Sequence, residues 1–263
     1  MLPYTTYLID LDGVVYRGNE LLPGAREFVD WLEANQKKYL FLTNNSFATG
    51  AQILTKLARM GIHSDDAHLL TAGQAAVQNI ARRIPAGRVY VVGEQPLMDL
   101  VASQGLSVVP ADSSEADALL VGLDRTFDYE KLTCATNVVR AGALFITINR
   151  DPLLPIAGAF IPGCGSLAAA IEGASGVSPE VVGKPEPMLL LEAMELLQSE
   201  PDDTVIIGDG LDVDILAGQN AGTHTLFVLC GRNSRADVEQ SSIKPEHIYA
   251  DLSEVLKDLS SSS

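Results

Sequence analysis

The chain has 263 residues, 47% of them hydrophobic and 20% charged, and 18 Lys and Arg against 34 Asp and Glu leave a formal net charge of −16. This is the composition of a globular protein with room for one or two domains. The acidity argues against sequence-independent binding to nucleic acid and against attachment to an anionic membrane, both of which need a basic face.

The first element is an apolar run, residues 7–10, that ends in Asp10-Leu11-Asp12-Gly13. In a strand, side chains at i and i+2 point the same way, so Asp10 and Asp12 should emerge together at its carboxyl end. Gly13 then frees the backbone for a sharp exit. Two such acids repel unless a shared proton or a divalent cation stabilises them, and a hard cation such as Mg²⁺ suits oxygen ligands.

A helix follows Pro23, with Ala25, Phe28, Val29 and Leu32 on one face. The next strand, 39–43, runs into Thr43-Asn44-Asn45-Ser46. This is either an anion cradle ahead of a helix or a loop whose Asn or Ser caps that helix. The helix carries Ile53, Leu54, Leu57 and Met60, and Gly61 is placed to end it. Strands are then expected at 89–92, 118–121 and 144–148. Gly163-Cys164-Gly165-Ser166 opens another helix, as an anion site or as a plain cap. Gly183-Lys184-Pro185 precedes a helix through Leu190, Leu191, Met194 and Leu197; a lysine held there could neutralise a phosphoryl oxygen, although on its own it reads as a solvated surface residue.

The strand at 204–207 leads into Gly208-Asp209-Gly210-Leu211-Asp212-Val213-Asp214. Asp209 is a candidate metal ligand, whereas Asp212 or Asp214 could cap the helix that follows and ends near Gly222. A last strand is expected at 225–229, and the serines from 260 onward read as a frayed tail. Apolar runs alternating with amphipathic segments predict a parallel α/β fold. Ligands of such sheets bind beyond the carboxyl ends of the strands, where the polar clusters fall. Residues from about 73 to 180 have strands and helices but no paired acids, which suggests an inserted second domain.

Cys134, Cys164 and Cys230 are few, scattered and odd in number, so neither a zinc site nor a disulfide framework is expected. A reducing cytoplasm is the natural compartment. Neither a signal pattern nor a membrane-spanning run is evident. His63, His68, His224 and His247 show no metal-ligand spacing.

In their order, the four clusters resemble the motifs of the haloacid dehalogenase (HAD) superfamily. Asp10 to Gly13 match its Asp-x-Asp-Gly, Thr43 its second motif, Lys184 its third, and Gly208, Asp209 and Asp214 its fourth. Asp-Gly-Val-Val-Tyr, Thr-Asn-Asn-Ser, Val-Gly-Leu-Asp, Asn149-Arg150-Asp151, Gly-x-Gly-Ser and Gly-Lys-Pro-Glu-Pro further resemble its NagD-like, or 4-nitrophenylphosphatase, subfamily. Gly210 and Val213 depart from it, standing where relatives often have Arg and Thr.

The resemblance implies a Rossmann-like parallel-sheet core, residues 1–72 plus 181–263, with an inserted α/β C2-type cap at 73–180. It implies a Mg²⁺-dependent phosphomonoesterase for a small phosphorylated metabolite. Asp10 would be the nucleophile that forms an aspartyl-phosphate, and Asp12 the general acid/base. Thr43, Asn44 and Lys184 would hold phosphoryl oxygens. Asp10, Asp12 (through its carbonyl) and Asp209 would hold the metal, with Asp214 orienting metal-bound water or Lys184. Asn149, Asp151, Gly165 and Ser166 are substrate-selecting candidates, and a homodimer through the cap is expected. The alternatives are a phosphomutase or a non-catalytic binding protein on the same fold.

Overall fold

The computed structural model describes residues 4–45, 48–156 and 158–260. Ser46 and the serines at 261–263 therefore lie outside the described residues. The chain divides into two compact units, one of residues 1–43, 50–70 and 184–263, the other of residues 44–49 and 71–183.

The first unit is built on a six-stranded sheet. From edge to edge the order is His247–Tyr249, His224–Val228, Thr204–Gly208, Thr6–Asp10, Lys38–Thr43 and Leu69–Thr71. The pairings from the first of these strands through Lys38–Thr43 are parallel. The two central strands, Thr6–Asp10 and Thr204–Gly208, are buried along their whole length, which is why they read as continuous apolar runs rather than alternating ones. Thr6–Asp10 is central in space but first in sequence. The chain winds outward from it in both directions, so a topological switch point lies beside it.

Helix Ala25–Ala34 buries Ala25, Phe28, Val29 and Leu32, as its spacing requires. Helix Gly50–Arg59 buries Ile53 and Leu57, and Gly61 follows it in the left-handed region at φ 82°. Pro187 precedes helix Met188–Leu197.

The helix expected after Asp212 begins earlier. It opens with a wide π-type turn over Leu211–Ile215 and continues as Leu216–Ala221. Asp214 lies inside that turn and folds back, its Oδ2 accepting from the N–H of Asp209 (3.2 Å) and of Gly210 (3.0 Å). Asp212 makes no such bond. It is exposed, 3.5 Å from the Arg232 guanidinium.

The second unit has its own five-stranded parallel sheet, ordered Glu180–Val181, Leu144–Thr147, Ala118–Val121, Arg88–Val92, Ser107–Val108. An antiparallel hairpin joins Leu153–Ile156 to Ala159–Pro162. Helix Ala72–Arg83 starts on a reciprocal cap. The Thr71 hydroxyl accepts from the Gln74 N–H, and the Gln74 side chain accepts from the Thr71 N–H.

The short strands were invisible in the sequence. Two- to four-residue pieces such as Leu69–Thr71 and Glu180–Val181 carry too few residues for a period to register. Among the described residues the three cysteines are free, and no helix is long and apolar enough to cross a membrane.

Candidate active site

The parallel register brings the tips of the central strands of the first unit together. Asp10 ends one strand, Thr43 ends its neighbour, and Asp209 follows the strand on the other side. Asp10, Thr43, Asp209 and Asp214 are all buried, and Lys184 is only 4% exposed.

The Lys184 ammonium donates to Asp10 Oδ1 at 2.5 Å and to Asp214 Oδ1 at 2.6 Å. Burial works against that ammonium, but Asp10 and Asp214 outweigh it and raise its pKa. One lysine does not balance the acids around it. Burial pushes Asp10 above the usual carboxylate range, Lys184 pulls it down, and Asp214 pushes it up again. Burial, then Asp214, pushes Asp209 up to about 6, against the Arg232 N–H and Lys184. Asp10, Asp209 and Asp214 each place a carboxylate oxygen within 4.8 Å of the others. Three buried carboxylates with one buried ammonium leave negative charge, and a hard divalent cation with oxygen ligands fits that deficit.

Asp214 is occupied at both oxygens, by Lys184 on one side and by two backbone N–H groups on the other. Gly208 makes room for it, because a Cβ there would overlap the Asp214 side chain.

Asp12 differs from these acids in being open to solvent. Gly13, at φ 89°, turns the chain sharply after it, and the chain then forms the small hairpin Tyr16–Arg17 with Glu20–Leu21. The protein around Asp12 still raises its carboxyl by desolvation, while Lys56, Lys184 and a hydrogen bond from the Tyr16 hydroxyl act in the opposite sense. Lys56 Nζ sits 3.4 Å from the centroid of the Tyr16 ring, a cation–π contact. Tyr16 and Lys56 carry no motif of their own; only proximity to Asp12 in the fold reveals them. A cavity of about 360 Å³ opens at this end of the unit, lined by Asp12, Gly13, Arg17, Gly18, Asp209, Gly231 and Arg232.

The remaining candidates belong to the second unit. Asn44 packs against Gly183, and its carbonyl accepts from Asn149 Nδ2 at 3.1 Å. The buried Asn149 side chain also accepts from the Asp151 N–H at 3.1 Å. Gly165 donates its N–H to the Asp151 carbonyl (3.0 Å), and Ser166 Oγ donates to the Pro152 carbonyl (2.7 Å). These groups hold the segment 149–152 against the start of helix Cys164–Ser175. Asp151 itself is exposed. The Cys164 thiol is buried against Thr147 Oγ1 (3.2 Å) and the Val121 carbonyl (3.3 Å), and burial raises its pKa.

Residues 7–107 match the model of the haloacid dehalogenase-like hydrolase family, and residues 181–255 match a second, HAD-hydrolase-like one. The chain belongs to the HAD-like hydrolase family.

Over 259 residues, 98% of this chain and 99% of the relative, it is 37% identical to an acid sugar phosphatase of Staphylococcus saprophyticus. Among solved structures it is similar to a thermostable p-nitrophenylphosphatase from Bacillus stearothermophilus (35% identity, TM-score 0.87), covering 97% of this chain and 98% of that one. It is also similar to NagD of Escherichia coli (33%, TM-score 0.87), covering 95% and 98%. The family member is thus a HAD-type phosphatase of the NagD and 4-nitrophenylphosphatase kind, on the expected α/β fold.

Proposed function

We propose that the protein is a Mg²⁺-dependent phosphomonoesterase that hydrolyses a small phosphorylated metabolite, a sugar phosphate foremost, through an aspartyl-phosphate on Asp10. The observation that carries this reading is Lys184 bridging Asp10 and Asp214 beside Asp209 at the strand tips, with more buried acid than base. The acid sugar phosphatase and p-nitrophenylphosphatase relatives support the substrate class.

Asp10 attacks phosphorus and splits one difficult hydrolysis into two easier displacements. Lys184 orients the Asp10 carboxylate and lowers the charge that an approaching phosphoryl group meets. Asp12, with its raised pKa and open position, protonates the leaving alkoxide and then takes the proton of the water that attacks the aspartyl-phosphate. Thr43 and Asn44 are assigned to the phosphoryl oxygens as preorganised donors.

Asp10, the Asp12 carbonyl and Asp209 would hold Mg²⁺. The bound ion would offset charge between nucleophile and phosphate and stabilise the transition state. Asp214 keeps Lys184 and the backbone of Asp209 and Gly210 in place. The second unit is assigned the role of C2-type cap on the resemblance, with Asn149, Asp151, Gly165 and Ser166 as candidates for leaving-group selection.

A panel of phosphate esters tests the proposal. Phosphate release from sugar phosphates and 4-nitrophenyl phosphate that stops on chelation and returns with Mg²⁺ is expected. No release from any ester with Mg²⁺ present contradicts it. Transfer of phosphate between two hydroxyls of one sugar would instead indicate a mutase.

A further inference from the structure

The segment 230–233 comes from the loop after strand His224–Val228 and carries no motif. Yet it meets Asp209 from several directions. The Arg232 N–H donates to Asp209 Oδ2 at 2.5 Å, and the Asn233 N–H reaches the Asp209 carbonyl at 3.3 Å. Asn233 Oδ1 accepts from the Leu211 N–H at 3.0 Å, just beyond Asp209. Gly231 lies flat against the carboxylate, so closely that a Cβ there would overlap it.

The turn after Asp12 approaches the same carboxylate, and a Cβ at Gly13 would overlap it as well. The turn and the loop are tied to each other. Arg17 Nη2 donates to the carbonyls of Cys230 and Gly231, and the Cys230 thiol donates to the Gly13 carbonyl at 3.3 Å.

We infer that the 230–233 loop and the 13–17 turn form a two-sided clamp that sets the Asp209 carboxylate for its cation, with Gly231 and Arg17 as positioning residues. Two glycine backbones and the Arg232 N–H all crowd Oδ2. With Oδ2 enclosed in this way, Oδ1 is the oxygen left to face a ligand. Groups that orient a metal ligand are typically worth about 10- to 100-fold in metal affinity. Gly231 is the sensitive point, since any side chain there displaces the carboxylate rather than a flexible surface group.

This inference rests on the reading of Asp209 as a cation ligand, and the test separates the two. Mg²⁺ affinity is measured by calorimetry, without substrate, on the whole protein and its Gly231→Ala, Arg17→Ala, Cys230→Ala, Cys230→Ser and Asp209→Asn variants. Circular dichroism and thermal midpoint in chelator report folding. Gly231→Ala is expected to weaken Mg²⁺ by about 10-fold or more without a matching loss of fold. Arg17→Ala should weaken it less, and Cys230→Ser, which keeps a donor to Gly13, should bind more tightly than Cys230→Ala.

Wild-type affinity in both Gly231→Ala and Arg17→Ala, with Asp209→Asn weakened, would overturn the clamp alone. If Gly231→Ala does not fold, a folded Arg17→Ala with wild-type affinity is sufficient to overturn it. Equal affinity in wild type and Asp209→Asn would overturn the cation assignment, and the clamp with it.

Discussion

Both units end their parallel sheets in buried polar residues, and the two sets differ in charge balance. In the second unit Asp124 follows strand Ala118–Val121 and is 5% exposed. Its oxygens accept from the Thr126 N–H (2.8 Å) and hydroxyl (2.7 Å) and from Lys131 Nζ (2.6 Å). Burial pushes its carboxyl up, but Lys131 and Thr126 win and leave it below the ordinary value. Asn149, after the neighbouring strand, is likewise satisfied by backbone partners. In the first unit burial, reinforced by Asp214, displaces Asp10 and Asp209 the other way, and Lys184, already shared by Asp10 and Asp214, does not bring them back. Burial of an acid at a strand tip therefore does not mark the chemistry; an unbalanced charge does.

Lys184→Met is the strongest way to press that contrast. It leaves Asp10 and Asp214 buried without their cation. Phosphatase activity should fall about 10²- to 10³-fold, and urea unfolding at pH 7 should show a loss of about 3 kcal/mol. Unchanged activity would mean that the bridge is structural only.

Asp12→Asn should cut kcat/KM, which reports the first phosphoryl transfer, by about 10²-fold on a sugar phosphate. The loss should be smaller on 4-nitrophenyl phosphate, whose leaving group needs no proton. Equal losses on the two esters would remove Asp12 from the acid role.

The raised pKa of Asp209 gives the imbalance a pH signature. Its folded value lies near 6 against an ordinary 3.8, so the folded state holds this proton more tightly than the unfolded chain does. The stability this provides is complete below about pH 4 and is lost as pH rises through about 6. In chelator, wild type should therefore lose up to about 3 kcal/mol relative to Asp209→Asn between those limits. Mg²⁺ should restore the loss above pH 6. Parallel denaturant curves for the two proteins across that range would contradict the imbalance.

The smallest effect is expected at the balanced acid. Lys131→Met should cost about 1–3 kcal/mol of stability and leave the activity of the folded fraction intact. A large loss of kcat there would erase the distinction between the two sheet ends.

Sequence alone carried the architecture wherever an element was long and strongly patterned. The strands of 4–5 residues at 6–10, 118–121 and 204–208 are built on continuous apolar runs, and the helix at 25–34 has its buried face at the right spacing. Asp10 and Asp209 were legible at the tips of apolar runs, whereas Lys184 and Asp214 stood out only through the family resemblance, because alone the one reads as a surface lysine and the other as a helix cap. Tyr16 and Lys56 were not legible, since they act through a contact 40 positions apart in the chain. Arg17 and Gly231 meet across more than 200 residues, a separation at which no local pattern registers. The wide turn at 211–215 starts the helix earlier than either acid suggests, and neither Asp212 nor Asp214 caps it, since Asp214 accepts instead from the N–H groups of Asp209 and Gly210.

The central claim is that Asp10 takes the phosphoryl group, and rapid-quench labelling tests it directly. Asp12→Asn, mixed with ³²P-labelled ester and Mg²⁺ and quenched in acid, should hold label on the peptide containing Asp10, and Asp10→Asn should hold none. Full turnover with no labelled protein, or label retained in Asp10→Asn, would contradict the account.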